Sequence, residues 1–284
     1  MGDGMSVGKG KKITMAMALD TCEAGAFSQD RLSESPRTHV IDRWIYVFTA
    51  ACLIAVVFAG FLPDSFAKVA AVEAGKRAPF PLILHVHAVL MGSFLLLLLA
   101  QTVLVATGRP NGHMQLGIAA MVIAPAIVIS GLILVPTMYH IAWNEALAGS
   151  HAAEQRLQRI DNVLLRQFSA GFLFTIFLWI ALRARTRDSG LHKRMIILSI
   201  TAVLGAAITR IQWLPTTMPN SSISTDIFVL LTLSPMFIWD FIRNRGVHRA
   251  YLIWASFYFP VMAAVHLLWG KPGWHATARQ IMGL

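Results

Sequence analysis

The sequence predicts an all-α, polytopic membrane helical bundle with seven transmembrane helices, its N-terminus inside and its C-terminus outside. Three observations carry that expectation. Hydrophobic residues fill 56% of the 284 positions and charged residues only 13%, about half the ~25% charged share of soluble domains. Seven apolar runs reach or approach the ~20 residues that a spanning helix needs. Lysine and arginine, finally, are unevenly divided between the two sets of alternating connections, as cytoplasmic and external loops are.

The apolar runs occupy approximately 44–62, 81–107, 114–136, 168–183, 195–214, 225–242 and 250–269. The fourth is short, and the preceding "IDNVLLRQF" can complete it. Pro125, Pro235 and Pro260 interrupt the third, sixth and seventh runs. Spanning helices tolerate proline because neighbouring groups satisfy the freed carbonyl, so these predict kinks and not breaks. The polar first 40 residues are expected to form a flexible cytoplasmic tail, 41–270 the transmembrane bundle and 271–284 a short outer tail. No compact apolar core followed by a cleavage site marks a secretory signal within that first segment. The one sizeable connection, 141–166, mixes apolar and charged residues at roughly helical spacing. It fits an amphipathic surface segment or an extension of the fourth helix equally well.

Orientation follows from the charges. With the N-terminus inside, fifteen Lys and Arg fall on the inner side, from Lys9 to Arg249, against eight on the outer side, from Lys68 to Arg279. The formal net charge of +10 therefore belongs to loops facing a cytoplasm, and the expected partner is the lipid bilayer and not nucleic acid. The two cysteines, Cys22 and Cys52, offer neither a disulfide framework nor a CxxC pair.

Polar residues within the runs are the candidates for function. His85 and His87 stand at the outer mouth of the second run and, two apart, point to different helical faces. The third, fifth and seventh runs each open after a glycine with a histidine: His113 in "RPNGHMQLG", His192 in "DSGLHKRM" and His248 in "RGVHRAYL". Glycine turns and interfacial basic residues explain the pattern blandly; neutral imidazoles that bind a metal or haem iron explain it functionally. Arg210, near the outer end of the fifth run, costs roughly 2.5–3.5 kcal/mol to place in lipid. It calls for a partner, and Asp226, at the same depth in the next run, is the expected one. Asp240 and Arg243, three apart, read as an ion pair at the inner boundary. Gln101 is a further polar group in need of a neighbour. His140 and His266 complete an outer polar set with His85 and His87.

"LHVHAVLMGSFLLLLLAQTVLVATGRPNGHMQLG" and "LHKRMIILSITAVLGAAITR" together resemble a family of bacterial inner-membrane proteins without an assigned reaction. The matching positions are His87, His113, Gly117, His192, Arg194, Met195 and Arg210; Met114 and Gln115 replace the basic pair usual at that turn. The resemblance implies a multi-pass protein of the bacterial inner (plasma) membrane. More distantly, "HAVLM" opening one helix and a histidine opening the next is similar to two-haem transmembrane cytochromes. That similarity implies an outer haem b held by His87 and His266, and an inner one held by His113 with His192 or His248. No CxxCH motif supports covalent haem.

The expectations for function are therefore a b-type haem-binding transmembrane electron carrier, a transporter of a small solute or ion, or an accessory or sensor subunit working with a membrane or redox partner protein. No Walker loop, GxGxxG, HExxH or GxSxG motif occurs, which argues against a soluble-type catalytic site.

Overall fold

The computed structural model describes residues 40–149 and 153–284; the expected N-terminal tail lies outside the described residues. Eight helices and no strand occur among them: α1 (Val40–Glu73), α2 (Leu82–Ala106), α3 (Pro110–Ala148), α4 (Ala153–Ala184), α5 (Ser189–Ile208), α6 (Ile223–Asn244), α7 (Arg249–Leu268) and α8 (Pro272–Ile281). The first seven are each long and apolar enough to cross a membrane. The chain is an all-α multi-pass bundle.

Several helices outrun the apolar runs that announce them. A hydrocarbon core of about 30 Å needs only ~20 residues, yet α3 has 39 and α1 has 34. The surplus of α1 carries Asp64 and Lys68, joined one turn apart at 2.5 Å. The 141–166 segment is not a separate surface element: α3 continues through Ala148 and α4 starts at Ala153. "IDNVLLRQF" thus lies inside α4, and its Asp161 and Asn162 are buried.

The expected tail at 271–284 is also corrected. Pro272 starts α8, which packs against α4. Its Trp274 and His275 are buried, because both find polar partners on α4.

Helix α5 occupies the centre. It packs against α1, α4, α6 and α7, while α2 and α3 close the ring between α1 and α4. Its most apolar stretch is 67% buried, against 17–39% for the other six spanning helices. Small residues make this central place accessible. At the α1–α5 crossing a Cβ on Gly60 would collide with the Ala207 carbonyl, so glycine is required there. Lipid-facing helices instead expose large apolar residues such as Val89, Leu96, Leu132, Phe172 and Trp179, a surface suited to acyl chains and not to water.

Hydroxyls within the spans satisfy themselves locally. Thr49 donates to the Ile45 carbonyl at 2.8 Å, Ser169 to Leu165 at 2.8 Å, and Thr201 to Leu198 at 2.6 Å. No water is at hand in hydrocarbon to do this for them.

Candidate functional site

Two buried ionic centres lie near opposite ends of the bundle. The first is built on Asp226, in the first turn of α6. Arg166 of α4 donates through Nη1 to Asp226 Oδ1 at 2.8 Å, and His266 of α7 meets Oδ2 through Nε2 at 2.8 Å. The Tyr258 hydroxyl reaches Oδ1 more loosely, at 3.5 Å. Asp226 is 8% exposed, and three helices meet through its carboxylate. Arg166 also rests on the Met262 sulfur at 2.9 Å. Gly205 of α5 leaves room for the guanidinium: a Cβ there would stand 2.8 Å from Arg166 Nη2.

The second centre is Arg194 and Asp240, exposed by 0% and 1% respectively. Arg194 Nε donates to Oδ2 at 2.6 Å and Nη2 to Oδ1 at 2.9 Å, while Nη1 takes up the Gly190 carbonyl at 3.0 Å. Tyr251 of α7 adds its hydroxyl to Oδ2 at 2.6 Å. Nearby, Asp42 of α1 accepts from Arg243 Nε and Trp239 Nε1 of α6, both at 3.0 Å.

One face of α7 joins the two centres. Tyr251, Trp254, Tyr258, Met262 and His266 recur at helical spacing, and each carries a polar or polarisable group to a neighbouring helix. Between the two tyrosines, Trp254 donates to Thr201 at 3.1 Å and stacks on Tyr258 with centroids 4.4 Å apart.

A third carboxylate, Asp161, is fully buried and anchors α8. The Tyr139 hydroxyl donates to Oδ1 at 2.6 Å; His275 Nδ1 and Arg279 Nε meet Oδ2 at 3.0 Å and 3.3 Å. Arg279 also reaches Glu154 at 2.8 Å.

The expected Arg210–Asp226 pair is not formed. Arg210 Nε donates instead to Asp64 Oδ2 at 3.3 Å, a further bond runs to the Ala206 carbonyl, and the guanidinium lies over the Phe61 ring at 4.7 Å. The reason is the length of α1, which carries Asp64 past the end of α5, whereas α4 supplies Asp226 with Arg166. The expected Asp240–Arg243 pair is likewise replaced, by Arg194–Asp240 and Arg243–Asp42. Partners on other helices win because they can close on a carboxylate across the packed interface.

The histidines disperse. His87 Nδ1 bonds Ser130 Oγ at 2.8 Å on the α2–α3 interface. His85 is exposed, edge-on to Phe80 with centroids 6.3 Å apart, and His140 lies edge-on to Tyr139 at 6.1 Å. His248 is buried and caps α7, its Nδ1 accepting from the Ala250 amide at 3.1 Å. His192 Nδ1 pairs with the Ala181 carbonyl at 2.8 Å. The Nδ1 of His113 is buried without a hydrogen-bond partner, as is Gln101 Oε1.

A pair of axial haem histidines must face each other across a flat slot. These residues do not fit such a pair at the outer position. His87 belongs to α2, which packs on α1 and α3, and His266 belongs to α7, which packs on α4 and α5. His266 is also committed to Asp226. Two grooves of about 290 and 430 Å³ open on the bundle surface, and neither is lined by a histidine. Among the described residues no cluster of three or more His, Cys, Asp or Glu could hold a metal ion.

Arg166, Asp161, Tyr251, Tyr258 and His275 belong to these centres and escape a reading of the sequence by apolar runs. The signal that could have found them is "IDNVLLRQF": once counted as membrane helix, it puts an aspartate and an arginine five residues apart within a span. No known family model, curated protein or solved structure matches the chain.

Proposed function

We propose that this chain is a small-ion transporter of the bacterial inner membrane, with Asp226 as its ionisable centre and the proton as the foremost candidate ion. The observation that carries the reading is Asp226 itself: a buried carboxylate within a spanning helix, shared by Arg166 of α4 and His266 of α7. Ionisable groups are expensive in a bilayer, and where they occur they commonly mark ion pathways.

The chemistry is competition for one carboxylate. With Arg166 bound, Asp226 is neutralised by the protein; a proton that binds Asp226 takes the place of that charge and loosens its bond to Arg166, which keeps its contact with the Met262 sulfur. His266, whose side chain is 31% exposed, is placed to pass that proton between Asp226 and the surface. The α7 face then offers polar groups toward Tyr251 and Asp240, about 21 Å further along α6 at 1.5 Å per residue. In an N-in, C-out orientation, supported by fourteen basic residues against seven once the ion-paired Arg194 and Arg166 are set aside, Asp226 lies on the outer side and Asp240 on the cytoplasmic side.

Proteoliposomes enclosing a pH-sensitive dye test this directly. Under an imposed membrane potential the intact protein acidifies or alkalinises the lumen, and Asp226→Asn abolishes the flux; a cooperative thermal transition in detergent, lowered by the loss of the buried carboxylate, shows that the variant is still folded. A correctly folded Asp226→Asn or Arg166→Gln protein with undiminished flux overturns the proposal.

A second reading, an electron carrier with an inner haem b and a redox partner protein, has one observation in its favour: the Nδ1 of His113 is buried without a hydrogen-bond partner. An absorption spectrum after expression with ample haem decides it. A Soret band lost in His113→Ala supports the reading, and a featureless spectrum removes it. The accessory-subunit reading has no comparable feature behind it.

A further inference from the structure

Away from the ionic centres, a groove of about 290 Å³ lies where the ends of α4, α5 and α7 meet, lined among others by Trp179, Ile180, Leu191, Arg183, Arg187 and Arg249. Its charges do not balance. Asp188, also in the lining, is the N-cap of α5; it accepts from the Leu191 amide at 2.8 Å and pairs with Arg249. That leaves Arg183 and Arg187 without a carboxylate among the described residues. Arg183 is exposed and stacks on Trp179, its guanidinium carbon 5.2 Å from the ring centroid. Arg187, just past the end of α4, is exposed as well.

The apolar wall of the same groove continues into the lipid-facing side of α4. Trp179 is 57% exposed and Phe172, two turns earlier on the same face, is 52% exposed. Arg183 is one turn beyond Trp179 in the opposite direction. Going along α4, the surface therefore passes from acyl-facing aromatic groups through an indole to two uncompensated guanidinium groups. Tryptophan favours the headgroup level of a bilayer, and arginine matches phosphate oxygens with paired donors.

We propose that this groove is a binding site for an anionic phospholipid, with the phosphate between Arg183 and Arg187 and the first acyl segment along Ile180, Trp179 and Phe172. A free phosphate answers the two arginines but not the aromatic wall beneath them, so the occupant is a lipid. The proposal rests on the membrane-spanning helices and is independent of the role given to Asp226. Basic pockets between spanning helices are a known means of holding such headgroups.

The test uses the full chain in mild detergent, titrated separately with phosphatidylglycerol, phosphatidylcholine and inorganic phosphate, with retained lipid read by native mass spectrometry. Phosphatidylglycerol is retained in preference to phosphatidylcholine, and millimolar inorganic phosphate does not displace it. The double variant Arg183→Gln/Arg187→Gln loses the preference by about thirty-fold, two headgroup contacts having been removed. A control removing two charges elsewhere, Arg156→Gln/Arg159→Gln, keeps it. Should the double variant fail to fold, Trp179→Ala serves instead and weakens phosphatidylglycerol retention. Equal retention of the two lipids, displacement by inorganic phosphate, or an undiminished preference in a folded groove variant each overturns the proposal.

Discussion

Arg194 and Asp240 face each other through two parallel hydrogen bonds, of 2.6 and 2.9 Å, with neither side chain more than 1% exposed. The pair ties α5, the central helix, to α6, and Tyr251 brings in α7 through the same carboxylate. Two buried charges are costly to desolvate and attract strongly once paired, so each depends on the other.

Removing one member of that pair is therefore expected to be worse than removing both. Arg194→Met strands the Asp240 carboxylate and lowers stability by on the order of 3–5 kcal/mol. Arg194→Met with Asp240→Leu recovers much of that loss. Thermal unfolding in detergent, followed by circular dichroism, reads the difference. A double variant no more stable than Arg194→Met alone would contradict the coupling.

Gly60 predicts a steric limit. Gly60→Ala drives a methyl into the backbone of Ala207 and is expected to cost about 1–3 kcal/mol, the range for overpacking. Gly92 and Gly171 are helical glycines whose added methyl would meet nothing within 4 Å, so Gly92→Ala and Gly171→Ala should leave the melting temperature unchanged or raise it slightly. Comparing the three in one thermal assay separates crowding at the α1–α5 crossing from any general intolerance of alanine.

Arg210 should couple to Asp64 and not to Asp226. Its side chain is 34% exposed and that of Asp64 27%, a setting in which ion pairs contribute about 0.2–1 kcal/mol. A double-mutant cycle with Arg210→Gln and Asp64→Asn should return coupling within that range, and one with Arg210→Gln and Asp226→Asn a value near zero. The reverse order would show that the carboxylates have been assigned to the wrong cations.

The docking of α8 depends on Asp161. Arg279→Ala removes the links to both Asp161 and Glu154, and His275→Ala removes the partner at 3.0 Å. The double variant should free α8 from α4, with faster amide exchange across 272–281 while α5 keeps its protection. Hydrogen-exchange mass spectrometry reads both at once. Unaltered exchange in α8 would mean that Trp274, which donates to the Asp161 carbonyl at 2.9 Å, suffices to hold it.

The sequence by itself determined the number of helices long and apolar enough to span a membrane and their approximate extents. Each of those depends on composition over about twenty consecutive residues, and a run such as 81–107 is apolar whatever packs beside it. It also placed Asp226 and Arg210 correctly as ionisable residues within or beside spans. Their partners were another matter. Asp64, Arg166 and Arg194 lie 146, 60 and 46 residues from the groups they bind, and no local pattern records which helices will be neighbours. Only the packing around α5 decided that. The same holds for α8 and for "IDNVLLRQF": mean hydropathy makes both look like solvated connections, because it counts Asp161, His275 and Arg279 as groups that need water. Folded together they supply one another's hydrogen bonds, and polar residues that meet their own partners can leave water behind.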